Sequence, residues 1–348
     1  MVHATGRDFQ DIPVIDISPL HGPDKVAQAR VADALGRAAR DVGFLYVTGS
    51  GIDERLLASL LAVTKDFFAQ PFDKKMEVYI GRSRNHRGYV PEGEEVFYSG
   101  TKDKKEAFDM SLDLPADDPD YRAGNPMLGP NQWPDLPGFA EAANAYYKAV
   151  FALGRTLMRG FAMALGEQPD CFDRFINKPP CQLRLIHYPF DADAKDATGI
   201  GAHTDYECFT LLRSTAPGLE VMNGAGKWID APPLAGAYVV NIGDLLEVWT
   251  NGQFVATSHR VRKVQEERYS FPLFFTVDYD TVVAPIERFV TEESPARPSV
   301  KSGEHLYAQT LQSFTYQKQR LARGEIKLPN EAAPLSSFGQ EALQRPTV

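Results

Sequence analysis

The runs Gln182-Leu-Arg-Leu-Ile-His-Tyr-Pro189, Phe209-Thr-Leu-Leu-Arg-Ser214, Leu219-Glu-Val-Met222, Lys227-Trp-Ile-Asp-Ala231 and Ala237-Tyr-Val-Val-Asn-Ile242 decide the fold, together with Phe254 to Val261 and Tyr269 to Val277. Each is short, rich in β-branched and aromatic residues, and bounded by Gly, Pro, Asn or Asp. Such regular spacing predicts seven or eight strands forming two sheets, a sandwich or jelly roll.

Upstream of Pro179-Pro180 the texture changes to α/β. Ile12 to Asp16 and Phe44 to Thr48 read as strands. Between them, Ala27, Val31, Leu35, Ala38 and Ala39 give Lys25 to Val42 the apolar stripe of an amphipathic helix. A second helix starts at Asp53, a suitable N-cap, buries Leu56, Leu57, Leu60, Leu61, Val63 and Phe67, and stops before Pro71. A third runs from about Gly138 to Gly166, after a surface loop from Leu114 to Pro137. A last helix is expected from Gly303 to Ala322, followed by a loosely ordered tail from Pro329. The expected fold is therefore mainly β with flanking helices. It divides into an N-terminal α/β region, 1–178, packing on a jelly-roll core, 179–285, with a C-terminal helix and tail, 286–348.

A chain of 348 residues can bury a sizeable core without disulfides. With 37 Lys and Arg against 46 Asp and Glu, the net charge of −9 disfavours nucleic acid and anionic lipid as partners. The three cysteines, Cys171, Cys181 and Cys208, form no C-x-x-C pair and suggest a reducing cytoplasm. The N-terminus lacks the basic and apolar stretches of a signal peptide. The most apolar helical segment, Tyr147 to Leu165, is interrupted by Arg155 and Arg159, so no membrane span is expected.

The chemistry concentrates in Gly199-Ile-Gly-Ala-His203-Thr-Asp205-Tyr and Ser258-His259-Arg260. Residues i and i+2 of an extended segment project to one side, so His203 and Asp205 can reach one ion. His259, on a distant strand, would complete two imidazoles and a carboxylate. That set serves Fe(II) oxygenases with open metal positions, and zinc is the competing occupant. Farther on, Arg268-Tyr-Ser270 directs a guanidinium fork and a hydroxyl to one side of a strand. The strand continues as Phe271-Pro-Leu-Phe-Phe275, and a charge leading into so apolar a run calls for an anionic partner.

These motifs, in order with Val239-Val-Asn241-Ile-Gly-Asp244, Trp249-Thr-Asn-Gly252, Asp41-Val-Gly-Phe-Leu-Tyr-Val47 and Arg87-Gly-Tyr89, resemble the isopenicillin N synthase-like family of Fe(II)- and 2-oxoglutarate-dependent oxygenases. The resemblance covers most of residues 10 to 320. It implies a double-stranded β-helix, with His203, Asp205 and His259 as iron ligands and Arg268 and Ser270 holding the far carboxylate of 2-oxoglutarate. Tyr188 would add a phenol hydrogen bond. It further implies that O2 and 2-oxoglutarate are consumed, with release of succinate and CO2, to oxidise, most often hydroxylate, a small-molecule C–H bond.

Ile186 stands where many plant relatives carry an Asn, and Arg184, on the same strand face, is the candidate substitute contact to the co-substrate. His187 should face the other way. Glu207 replaces a common Gly. Isopenicillin N synthase has an Arg near the position of Arg87 that grips a substrate carboxylate, so an anionic substrate bound by Arg87 is expected. Alternatives within the fold are oxidation without a keto acid, as in isopenicillin N synthase itself, and breakdown of 2-oxoglutarate, as in the ethylene-forming enzyme. Outside it stand a zinc hydrolase with Glu207 as base and a non-catalytic jelly-roll module.

Overall fold

A computed structural model describes residues 8–96, 105–190, 198–262 and 266–329. Most of the expected tail lies outside the described residues. Four strands precede the jelly roll: β1 (Val14–Asp16), β2 (Phe44–Thr48), β3 (Gly88–Val90) and β4 (Glu106–Met110). The jelly roll itself has eight: β5 (Gln182–Tyr188), β6 (Thr198–His203), β7 (Phe209–Ser214), β8 (Leu219–Met222), β9 (Trp228–Asp230), β10 (Tyr238–Ile242), β11 (His259–Arg262) and β12 (Arg268–Phe275).

They are shared between two sheets. The larger runs β1-β2-β10-β7-β12-β5-β4-β3 and the smaller β6-β11-β8-β9. Apart from the β8–β9 pair, which stays in the smaller sheet, consecutive jelly-roll strands cross from one sheet to the other in the double-stranded β-helix pattern. The N-terminal strands do more than pack on this core. β2 pairs with β10 at one edge and β4 with β5 at the other, so the early chain hydrogen-bonds into the larger sheet. β3 and β4 were not legible as strands, the first being only three residues long and the second carrying Glu106 and Asp109.

Period-2 alternation assigns each strand of the larger sheet two jobs. On β12, Phe271, Leu273 and Phe275 join the main apolar core, whereas Ser270, Pro272 and Phe274 line an internal cavity. On β5, Leu183 and Leu185 face the core while Arg184, Ile186 and Tyr188 face the cavity. The core face is covered by helices. Four precede the longest: α1 (Lys25–Asp41), α2 (Glu54–Phe68), α3 (Phe72–Met76) and α4 (Pro119–Arg122), the last a short turn inside the expected surface loop. Asp53 caps α2 as expected, accepting from the Arg55 amide at 2.9 Å.

The longest helix, α5 (Phe139–Ala164), lays Tyr146, Val150, Leu153, Leu157 and Phe161 on the sheet at i, i+3/i+4 spacing. Each such fully buried side chain contributes roughly 1.5–3 kcal/mol. Gly154 permits the close approach, since a Cβ there would lie 2.2 Å from the Phe275 ring.

α6 (Asp244–Trp249) follows β10, and the C-terminal segment forms two helices, α7 (Ser302–Ser313) and α8 (Thr315–Ala322), instead of the one expected. Phe314, with φ −90° and ψ 131°, breaks the run. The break is held from outside the helices. Ser313 O accepts from the Val96 amide at 2.9 Å, and the Glu94 carboxylate accepts from the Tyr316 amide at 2.7 Å. Among the described residues no helix is long and apolar enough to cross a membrane.

Candidate active site

The two sheets flank a partly open cavity whose space, its mouth included, amounts to ≈ 990 Å³. His203 ends β6 and His259 begins β11, and the antiparallel register sets the two opposite each other. Asp205 lies two residues past the end of β6, beyond the extended segment that the sequence implied. The two imidazole centroids are 4.3 Å apart. Asp205 Oδ1 lies 3.6 Å from the Nε2 of His203 and 3.6 Å from that of His259. A donor atom from each residue lies within 4.8 Å of the others.

Their neighbours orient these atoms. His203 Nδ1 donates to Gly201 O at 2.8 Å and His259 Nδ1 to Thr257 O at 3.3 Å, which turns both Nε2 lone pairs toward Asp205. Asn241 Nδ2 donates to Asp205 Oδ2 at 2.7 Å, and the Thr210 hydroxyl donates to the same oxygen. Oδ1 therefore stays available. Burial, then His259, brings the His203 imidazole down to about 4, so it is neutral at pH 7, the form that binds a metal. Burial pushes Asp205 up, but His259, His203, Asn241 and Thr210 outweigh it and leave the carboxyl below its ordinary range. Two imidazoles and one carboxylate converging on a point, each with its second polar atom occupied, suit a divalent transition metal such as Fe(II).

Along β12, Arg268 is 1 % exposed. Its Nε donates to Ala216 O at 3.1 Å, and its guanidinium carbon lies 4.9 Å from the Tyr188 ring centre. Nη1 is buried and has no partner. Register sets Arg268 opposite Tyr188 and Ser270 opposite Ile186, and all four line the cavity. Burial lowers the pKa of the guanidinium, Tyr188 opposes the shift, and no carboxylate among the described residues relieves it. A cation buried beside the cavity with one nitrogen unsatisfied can receive a ligand carboxylate.

Two expectations need correction. Arg184 lines the cavity, but its charge is already met: Nε and Nη2 donate to Asp109 at 2.7 and 2.8 Å, and Nη1 to Glu95 at 3.0 Å. It is half of a buried ion-pair network, not a free fork for the co-substrate. Arg87 is 0 % exposed and does not line the cavity. Its Nη1 donates to Asn85 O and His86 O at 2.9 and 2.8 Å and its Nη2 to Met127 O at 2.5 Å, so it braces backbone and cannot grip a substrate at a cavity mouth.

His187 faces away, as expected, hydrogen-bonded to Glu106 and Glu267 and stacked on Tyr269. Glu207 lines the cavity and accepts from the Tyr206 amide at 3.0 Å. No ion pair holds it among the described residues, and burial, followed by Asp205, pushes its carboxyl up to about 8. Sequence reasoning missed His86, Glu95 and Lys105 on the wall opposite β6 and β11, and Thr310 and Phe314 from the C-terminal helices. Only their convergence in space identifies them. Asn241 and Thr210 were closer to legible, the first inside a quoted motif and the second five residues after Asp205.

Known proteins agree with this geometry. Residues 12–136 match the family described as non-haem dioxygenase in morphine synthesis N-terminal, and residues 179–277 match the 2OG-Fe(II) oxygenase superfamily. A homoarginine-6-hydroxylase, 2-ODD-233 of Oryza sativa subsp. japonica, is 37% identical over 89% of this chain and 99% of its own. Among solved structures, a putative 2OG-Fe(II) oxygenase family protein from Caulobacter crescentus superposes with a TM-score of 0.76 at 30% identity, over 90% of this chain and 99% of that one. A full-length Neurospora crassa protein in complex with alpha-KG and thymine gives 0.75 at 28% identity, over 93% and 100%.

The chain belongs to the 2OG-Fe(II) oxygenase superfamily. It is an Fe(II)- and 2-oxoglutarate-dependent dioxygenase with a mainly β, jelly-roll fold, acting as an oxidoreductase on a small molecule. The zinc hydrolase and the non-catalytic module are thereby set aside.

Proposed function

We propose that this enzyme hydroxylates a basic amino acid, with Fe(II) held by His203, Asp205 and His259 and the distal carboxylate of 2-oxoglutarate held by Arg268 and Ser270, assisted by Tyr188. The single observation that carries the co-substrate assignment is the unsatisfied, buried Nη1 of Arg268 in the same cavity as the converging His-Asp-His donors. Bound there, the metal and keto acid supply the oxidising chemistry, using O2 and releasing succinate and CO2. The chain's own residues orient both, keep the His203 imidazole neutral and exclude water with Ile186, Ile200, Val261 and Phe274.

The substrate class rests on Glu207. An acid on the cavity wall whose charged form burial disfavours, and which has no cation among the described residues, ionises in favour of an incoming ammonium or guanidinium. The rice relative is named for homoarginine, which carries such a group. The three free cysteines support a reducing, cytoplasmic setting.

The test is succinate formation by the Fe(II) enzyme, with and without L-homoarginine, with O2 uptake and headspace ethylene followed in parallel. Keto-acid-dependent succinate, stimulated by L-homoarginine, is the expected result. Substrate oxidation without 2-oxoglutarate would shift the reading to the isopenicillin N synthase type. Ethylene as the main product would shift it to keto-acid breakdown.

A further inference from the structure

His86 has a left-handed backbone, φ 62°, although it is neither Gly nor Asn. Only Asn251, φ 50°, shares this among the described non-glycine residues. A histidine held in that region signals a requirement for its side chain, because glycine would serve the backbone better. The ring lines the cavity, 2 % exposed, edge-on to Phe314 with centroids 4.5 Å apart. The segment around it is pinned. Arg87 spends its guanidinium on the carbonyls of Asn85, His86 and Met127, Asn85 Nδ2 donates to Pro130 O at 3.1 Å, and Gln132 Nε2 donates to Arg87 O at 2.5 Å. Next to it a Cβ on Gly88 would sit 2.2 Å from Val78 O, so the turn cannot shift that way.

The tautomer follows from the neighbours. Gln317 Nε2 donates to the Tyr316 hydroxyl at 3.0 Å, and that hydroxyl lies 2.7 Å from His86 Nδ1. With its lone pair receiving from Gln317, Tyr316 donates to Nδ1, and Nε2 carries the ring proton. Asp109 Oδ2, 3.9 Å from Nε2, favours the same arrangement, since a lone pair there would face a carboxylate. That distance is too long for a hydrogen bond. His86 therefore presents an N–H donor on the cavity lining, as Arg184 does, with no acceptor within hydrogen-bond distance among the described residues.

We propose that His86 Nε2–H binds the carboxylate of the amino-acid substrate, and that Arg87 is the positioning residue that holds it there. The anion recognition that the sequence suggested for Arg87 moves one residue upstream. This inference rests on the basic-amino-acid reading above and deepens it: Glu207 takes the cationic end and His86 the anionic end.

The test is calorimetric titration of the anaerobic Fe(II)·2-oxoglutarate enzyme with L-homoarginine and with its decarboxylated analogue, which keeps the guanidinium and loses the carboxylate. The wild type should bind L-homoarginine at least tenfold more tightly. His86→Gly, which suits the left-handed backbone, should abolish that preference while binding 2-oxoglutarate within twofold of wild type. Arg87→Lys should reduce the preference, since one ammonium cannot brace three carbonyls, and a purely structural Arg87 would lower stability without changing the ratio.

His86→Asn, also at ease at positive φ, repeats the measurement should the Gly variant unfold. A preference unchanged in either folded His86 variant overturns the proposal, as does a wild type that binds both compounds equally or neither. In the last case, continued Fe(II)-dependent conversion of 2-oxoglutarate to succinate would leave the oxygenase site standing and remove only the substrate reading. Loss of that conversion as well would remove both.

Discussion

The cavity presents two kinds of wall, built by different rules. One comprises the candidate metal and carboxylate residues, His203 and His259 on paired strands of the smaller sheet, Asp205 just beyond β6, and Arg268 and Ser270 on β12 of the larger sheet, and it includes a buried nitrogen without a partner, Arg268 Nη1. The other gathers His86, Glu95, Lys105, Arg184 and Phe314 from the N-terminal region, the first jelly-roll strand beside β12 and the C-terminal helix break. Its charges are internally neutralised: Arg184 against Asp109 and Glu95, and Lys105 against Glu95 at 2.9 Å. One wall stores unmet valence for ligands. The other spends its charge on holding distant pieces of chain together and exposes only a few polar atoms.

The sharpest break of this contrast is at the metal cluster. His203→Ala, Asp205→Ala or His259→Ala should each leave protein that folds but retains no stoichiometric iron after anaerobic reconstitution, with turnover at background. Metal analysis and succinate assays check this, and iron retained by any one variant would move the ligand role elsewhere.

Next comes a paired substitution. Arg184→Met strands the buried Asp109 carboxylate and leaves Glu95 with Lys105 alone, and should cost about 3–5 kcal/mol of stability, read from the urea midpoint. Arg268→Met removes a buried cation that has no anion among the described residues, so its stability should be close to wild type or higher. Equal destabilisation of the two would erase the proposed difference between the walls.

Smaller is the effect on co-substrate binding. Charge-assisted hydrogen bonds are worth about 1.5–3 kcal/mol, so Arg268→Ala should weaken 2-oxoglutarate binding by tenfold or more. Arg268→Lys should recover only part of it, lacking the planar fork. Unchanged affinity in Arg268→Ala would detach the unsatisfied nitrogen from the co-substrate.

The smallest effect is a pH dependence of the opposite wall. Burial takes His86 from 6.5 down to about 3, against the pull of Asp109 and Glu95 and with the help of Arg184 and Arg87. The unfolded chain then binds a proton that the native one refuses, so stability falls as pH drops from 6.5 toward 3. Glu95 behaves as a paired acid. Burial raises it, but Arg184 and Lys105 dominate and bring it from 4.5 to about 2, so its contribution is present above 4.5 and lost as pH falls to about 2. His86→Asn should flatten the decline between pH 6.5 and 4.5 in thermal melts, and Glu95→Gln only the decline below 4.5. A slope unaltered by either variant would assign the dependence to other groups.

Legibility in the sequence follows the same division. Most of the strands from Gln182 to Phe275 were readable from their short apolar runs, but the glycine-containing β6 was not among them and the strand expected from Phe254 begins only at His259. His203 and Asp205 were readable together as near neighbours in the chain, whereas His259, 54 residues on, joined them through the resemblance. β3 and β4 were not readable, since Glu106 to Met110 carries buried charge that only partners elsewhere make tolerable. The break at Phe314 was hidden for a similar reason. Nothing local interrupts the helical pattern from Ser302 to Ala322; the amide of Val96 and the carboxylate of Glu94 do.

Local periodicity thus pointed, from sequence alone, to the jelly roll, and the resemblance of the ordered motifs pointed to His203, Asp205 and His259 as donors and to Arg268 and Ser270 as the carboxylate clamp. What a buried charge does, by contrast, depends on the electrostatic partner it meets, and that is a property of distance in space. Arg184, Arg87 and Arg268 are alike in charge and burial, yet one meets two carboxylates, one meets three carbonyls away from the cavity with only Nε left over, and one lines the cavity with a terminal nitrogen free. Tertiary structure alone decided among the three, because the energy of a buried cation is set by what lies within a few ångströms of it.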